Sequence, residues 1–169
     1  GQAVLIEALA KLRRPDVCCV LVGGERGRER YAASLVRQAE RVGVAAQVRM
    51  VGECDDMPAA LLLADVVVNA STEPEGFGRT IIEAQAMRRL VIASDHGGAT
   101  ETVEDGLTGW RVPPGDAGAL AAAIQRALDL SEAERQALGE RAREAVRRSY
   151  TTEAMQQATL NVYRELLVS

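Results

Sequence analysis

Short apolar runs rich in β-branched residues alternate, along the first two thirds of this chain, with longer stretches whose apolar positions recur every three or four residues. The runs at 17–22, 47–51, 65–69 and 90–93 have the length and side-chain type of buried strands. Residues 109–112 read as an edge strand before Pro113-Pro114-Gly115. Between them, 2–11, 28–42, 57–63 and 79–87 carry the helical period, and 98–104 reads as a short helix. Parallel neighbours need a crossover, so this alternation predicts an α/β fold with a doubly wound, Rossmann-like parallel sheet. Beyond residue 115 the strand signal stops. Residues 117–128, 132–149 and 152–167 read as three helices, with Asp116, Ser131 and either Thr151 or Thr152 as N-caps. The expected organisation is a single domain over 1–169, of which 116–169 is an all-helical extension.

Composition narrows this picture. The chain has 169 residues, 47% hydrophobic but only 3% aromatic, enough for one core and too few for a two-domain enzyme. No apolar run approaches the roughly 20 residues of a membrane span, so no transmembrane segment is expected. A net charge of -4 gives no electrostatic reason to bind nucleic acid. The arginines of the last third interleave with Glu132, Glu134, Glu140 and Glu144, which reads as a solvated helix surface. Cys18, Cys19 and Cys54 make an odd count without metal-ligand spacing. Adjacent strand residues face opposite ways, so Cys18 and Cys19 read as reduced thiols that do not pair with each other, as in a cytoplasmic protein.

The candidate chemistry lies in the middle of the chain. The strand at 65–69, with valines at 66, 67 and 68, runs into Ser71-Thr72-Glu73-Pro74-Glu75-Gly76-Phe77-Gly78, and a helix opens at Arg79. This loop therefore sits at the carboxyl end of a parallel strand, the edge where open α/β sheets bind ligands. The free N–H groups of the helix's first turn, at 78–81, form an anion site, and Gly76 and Gly78 permit close backbone approach. Glu75 in the loop and Glu83 about 7.5 Å along the helix axis can grip two separated parts of one hydroxyl-bearing ligand. Gly23-Gly24-Glu25 and Val51-Gly52-Glu53 follow other strands and end at the same edge, which makes Gly24 and Gly52 candidates, though a Gly-Gly after a strand is also an ordinary turn.

The stretch from Glu75 to Met87 resembles the Glu-x7-Glu signature of retaining family 4 (group 1) glycosyltransferases. Ser94-Asp95-His96-Gly97-Gly98-Ala99-Thr100-Glu101-Thr102-Val103 and Asp105-Gly106-Leu107-Thr108-Gly109-Trp110-Arg111-Val112-Pro113 resemble the two blocks that follow it, in order and at the right spacing. The resemblance implies the C-terminal, donor-binding half of a GT-B fold, lacking its first strand and the N-terminal acceptor domain. It implies transfer of a hexosyl group from a nucleotide-diphosphate sugar, a UDP- or GDP-sugar among others, to a glycan or lipid-linked acceptor, in polysaccharide or lipopolysaccharide synthesis. The full enzyme would be cytoplasmic, with membrane association open.

By the same resemblance Glu75 is the catalytic carboxylate that holds donor-sugar hydroxyls, and Glu83 binds the ribose. The backbone at Phe77, Gly78 and Arg79 approaches the sugar and diphosphate, and Thr80 adds a hydroxyl or caps the helix. No metal or other cofactor is implied. His96, the sole histidine, is expected to be structural or cleft-lining, Glu101 to support its helix as much as touch ligand, and Trp110 to pack in the core. Two departures stand out: Asn69-Ala70 precedes Ser71 where many members have proline, and Arg79, either solvent-facing or reaching the diphosphate, replaces an aliphatic residue. Alone, the chain is expected to be inactive in transfer and to self-associate through the truncated surface or its last helix. The competing reading is a stand-alone nucleotide-binding or regulatory module without catalysis; a dinucleotide domain is disfavoured, since no G-x-G-x-x-G occurs.

Overall fold

The computed structural model describes residues 1–24 and 27–168. In chain order the elements are α1 (Gln2–Leu12), β1 (Cys19–Val22), α2 (Glu29–Arg41), β2 (Val48–Gly52), α3 (Met57–Leu63), β3 (Val66–Asn69) and α4 (Arg79–Ala86). They continue as β4 (Leu90–Ser94), α5 (Ala99–Thr102), β5 (Trp110–Val112), α6 (Ala117–Leu128), α7 (Glu132–Ser149) and α8 (Thr152–Val168). A single 3-10 turn, Ala45–Gln47, leads into β2.

Local chemistry sets the boundaries. The first strand starts at Cys19 rather than at 17, because the Gln47 side-chain amide donates to the carbonyls of Arg14 (2.6 Å) and Val17 (2.8 Å) and takes them out of any ladder. The helix expected over 98–104 is confined to Ala99–Thr102: Val103 is extended, and the N–H of Glu104 donates to Thr108 Oγ1 at 2.9 Å. Asp116 caps α6 by accepting from the N–H groups of Gly118 and Ala119. Ser131 and Glu134 form a capping box at the start of α7. Thr151, not Thr152, caps α8, through Ala154 N–H at 3.1 Å. Asp56 caps α3 through Ala59, a cap the apolar pattern did not announce.

All strand pairs are parallel, in two pieces: β1 with β2, and β3–β4–β5 with β4 in the middle. β4 shows the strand period plainly. Leu90 and Ile92 join a core with α1, α2 and α6, whereas Val91 and Ala93 join a second core with α3, α4 and α5. Helices thus cover both faces. Crossovers are right-handed, so β1–α2–β2, with its helix on the first face, and β3–α4–β4, with its helix on the second, run in opposite directions. The amino end of α1, the helix that leads into β1, lies against Ala70 just after β3, so β1 and β3 flank the division and the strand order reverses there. Such a switch point leaves a crevice at the carboxyl ends of the strands.

Trp110 is in the core as expected, 5% exposed, with the Arg126 guanidinium 5.5 Å over its ring. Of the described side chains of α8 only Ala154 is half-buried; Met155, Leu160, Val162, Tyr163, Leu166 and Leu167 are all exposed. Among the described residues no helix is long and apolar enough to cross a membrane.

Candidate functional site

The loop between β3 and α4 carries Glu75 at the carboxyl edge of the three-stranded piece. Its carboxylate is held from below. Asn69 Nδ2 lies 3.3 Å from each carboxylate oxygen, and the Ser71 hydroxyl donates to Oε1. These three residues line a small recess with Gly78, Ser94 and His96. Glu75 itself remains exposed, so its outward lone pairs face solvent. Asn69, part of the departure noted in the sequence, and Ser71, which opens the loop, are thus the immediate neighbours of the carboxylate. The available signal was a polar residue closing an all-valine strand.

Gly78 begins α4 as its N-cap, in the left-handed region at φ 78°, where a side chain would be strained and would meet Ile81 Cδ1 at 3.0 Å. The first-turn amides of Arg79 and Thr80 have no acceptor within the helix and point out of its N-terminus. Thr80 is exposed and Phe77 is 47% exposed. Glu83 is one turn further on, and Arg79 Nη2 lies 3.2 Å from its Oε1. The arginine is 84% exposed and the glutamate 42%, so this (i, i+4) pair is solvent-screened and contributes only a few tenths of a kcal/mol. Arg79 therefore faces solvent, the first of its two expected placements, with its guanidinium against Glu83 rather than turned to the loop. A ligand hydroxyl approaching Glu83 has to share that carboxylate with the guanidinium.

A second helix terminus converges on the same place. A Cβ on Gly1, the N-cap of α1, would collide with the carbonyl of Ala70 and lie 3.0 Å from the nitrogen of Ser71. The amino end of α1 therefore abuts the loop that carries Glu75. The positive ends of α1 and α4 reinforce each other there. Sequence reasoning placed one anion-binding terminus at this edge; the second depends on how α1 lies across the division.

Gly24 and Gly52 end β1 and β2 at the corresponding edge of the two-stranded piece and do not line the Glu75 recess. Their loops are tied by the N–H of Gly23, which donates to the Gly52 carbonyl at 2.7 Å. Gly24 packs so closely on the Glu53 side chain that a Cβ would sit 2.7 Å from its Cγ, and Gly52 adopts φ 73°. Glu25 lies outside the described residues. The backbone carbonyl of Glu101 accepts from Tyr150 at 3.0 Å, a scaffold contact between α5 and the end of α7.

Comparison with known proteins identifies the family. The chain matches the family model of the glycosyl transferases, group 1, over residues 1–145. It is 37% identical over 134 residues to the GDP-mannose-dependent alpha-(1-6)-phosphatidylinositol monomannoside mannosyltransferase of Mycolicibacterium smegmatis, covering 73% of this chain and 34% of that protein. It superposes on a glycosyltransferase from Rickettsia africae with a TM-score of 0.93 at 34% identity, over 99% of this chain and 44% of the other. Against Anabaena HepE in complex with UDP-glucose the TM-score is 0.88 at 32% identity, over 97% and 45% of the two chains. The chain thus spans less than half the length of each. With these relatives and a Rossmann-like α/β architecture of the C-terminal GT-B type, the chain belongs to the group 1 glycosyl transferases.

Proposed function

We propose that this chain is the donor-binding unit of a retaining hexosyltransferase that takes a nucleotide-diphosphate sugar and serves a glycan or lipid-linked acceptor. The observation that carries the reading is the arrangement around α4. A preset carboxylate, Glu75, stands before the helix, a free N-terminus faces the same edge, and a second carboxylate, Glu83, lies one turn along. In this reading Glu75 accepts hydrogen bonds from the donor-sugar hydroxyls, and the backbone at Phe77, Gly78 and Arg79 lies along the sugar and diphosphate. Thr80 adds a hydroxyl at the helix start, and Glu83 accepts from the ribose diol, for which a carboxylate is suited. Gly24 and Gly52 give the nucleotide a backbone wall on the far side of the division.

The leaving diphosphate gathers negative charge as the glycosidic bond breaks. The converging ends of α1 and α4 supply fixed positive potential to meet it, without a resident metal ion. The acceptor comes from a second domain closing over this edge, and the exposed apolar row on α8 is proposed as a contact with it. In the isolated chain that row is left to self-association, and transfer is absent because the acceptor is not held in attack geometry.

Calorimetric titration with UDP, UDP-glucose, GDP and GDP-mannose tests the reading. Glu83→Gln is expected to weaken every one of these ligands that the parent binds by about ten- to a hundredfold, as for the loss of a charged hydrogen bond. Glu75→Gln should weaken the nucleotide sugar and spare the bare nucleotide. A parent chain that binds none of the four, or a Glu83→Gln variant that binds as tightly as the parent, would refute it.

A further inference from the structure

An exposed glutamate in an irregular loop ordinarily samples several rotamers, and ordering it costs entropy that a ligand must supply on binding. Glu75 is not left in that state. Its loop is held by the segment between β4 and α5, backbone against backbone. The N–H of Gly98 donates to the carbonyl of Glu75 at 2.8 Å. Gly97, at φ 55°, lies so close that a Cβ there would strike the Glu75 carbonyl and sit 2.8 Å from its nitrogen. A Cβ on Gly98 would sit 2.5 Å from the Phe77 carbonyl oxygen. Backbone contacts of this kind cannot be relieved by turning a side chain. On the other flank the Tyr150 ring meets Phe77 edge-on, with centroids 5.7 Å apart, and the Tyr150 hydroxyl is itself fixed on Glu101.

The side chain is fixed by a second set of bonds that converge on one residue. Ser71 donates its hydroxyl to the Glu75 carboxylate, and its backbone carbonyl lies 2.9 Å from His96 Nε2. A carbonyl oxygen can only accept, so His96 must carry a hydrogen on Nε2 to make this bond. Asn69 completes the cradle with its amide 3.3 Å from both carboxylate oxygens.

We infer that His96, Ser71 and Asn69 are positioning residues for Glu75, with His96 acting through Ser71 in its Nε2–H form, so that the carboxylate is pre-set for the sugar hydroxyls. This rests on the reading that Glu75 holds the donor sugar. The chain's single histidine touches neither sugar nor nucleotide in this scheme; it fixes the residue that fixes the carboxylate. The consequence is specific. Losing the brace should lower the advantage of a nucleotide sugar over its bare nucleotide and leave nucleotide binding nearly intact.

Two measurements on the whole chain test this. First, a long-range proton–nitrogen spectrum of the neutral imidazole, unambiguous because there is one histidine. The Nε2–H tautomer is expected; the Nδ1–H tautomer would overturn the brace. Second, the ratio of affinities for UDP-glucose and UDP, and for GDP-mannose and GDP, by calorimetry. Ser71→Ala and His96→Ala are each expected to reduce the ratio by about five- to tenfold, the scale of one lost hydrogen bond. Ser71→Thr and His96→Gln, which keep a donor, should restore most of it. If Glu75→Gln lowers the ratio and the Ser71 and His96 variants do not, the positioning role is refuted while the sugar-binding reading stands. If Glu75→Gln leaves the ratio unchanged as well, the reading of Glu75 has itself failed. Should an alanine variant fail to fold, the threonine and glutamine variants decide, since a loss of the ratio in both folded replacements would also count against a simple donor role.

Discussion

Cys18 and Cys19 differ by one position and by everything that matters to a thiol. The first is exposed and the second buried, as the strand period requires. Burial pushes the Cys19 thiol up to about 11, and the neighbouring Cys18 adds a smaller repulsive effect in the same direction. The folded chain therefore keeps this proton at pH values where the unfolded chain, with an ordinary thiol near about 8.5, has released it. Stability from this group is complete below about pH 8.5 and is lost as the pH rises towards 11. A shift of this size corresponds to a loss on the order of 3 kcal/mol. Urea unfolding of the parent between pH 8.5 and 11 is expected to show a decline about that much steeper than in Cys19→Val; identical declines would refute the assignment. The alternation that separates these thiols was legible from the strand pattern alone. The Arg79–Glu83 pair was also legible, from its (i, i+4) spacing. The His96–Ser71 bond was not legible, because 25 residues separate its ends and nothing in either local pattern specifies the other.

Elements show the same division between local and distant causes. The bounds of α6 and α7 follow from the apolar period and the caps, and those of α3 from the apolar period alone, so they could be read directly. The reason for Gly139 inside α7 could not. In an exposed helix, glycine costs roughly 1 kcal/mol relative to alanine, and alanine would be the better choice. Here a Cβ on Gly139 would lie 2.7 Å from the carbonyl oxygen of Arg88 and 3.1 Å from its Cβ. Arg88 holds φ 57° at the end of α4, and its N–H and that of Arg89 close the last turn on Gln85 and Ala84. No rotamer change frees that carbonyl; α7 has to move away from α4. Overpacking costs about 1–3 kcal/mol, which exceeds the propensity gain. Gly139→Ala is expected to lower the thermal midpoint by about 2–4 °C, the equivalent of ~1 kcal/mol for a chain of this size. A midpoint that rises would show that the helices separate without penalty.

In the whole molecule, the alternation of strands and helices fixes the fold class and puts the switch point beside Glu75, but it does not reveal that the parallel sheet is in two pieces. Strand pairing depends on edges meeting, and a run such as 17–22 looks equally strand-like whether it has one neighbour or two. The consequence is an uneven distribution of stability. β4 has strands on both sides and all five of its residues are buried. β1 and β2 have only each other among the described residues, and Val20 (52%), Val22 (39%), Met50 (40%) and Val51 (55%) keep substantial exposure. A two-stranded unit is marginal by itself, so this one depends on α1 and α2, which tie it to the shared core through Leu9, Leu12, Leu35 and Ala39. Opening it exposes little additional apolar surface from the strands, whereas opening β4 exposes the centre of both cores. Local unfolding free energies should follow that difference. Native-state hydrogen exchange is expected to find the ladder amides of β4 at the global limit. Those shared by β1 and β2 should exchange at least about tenfold faster, ~1.4 kcal/mol less protected. On the proposed placement of the nucleotide across the division, the contrast should narrow when it binds, because a ligand that touches the loops after β2 and β3 stabilises the closed arrangement by mass action. Equal protection of β1 and β4 in the unliganded chain would mean that the two pieces open as one cooperative unit, and that their separation has no energetic counterpart.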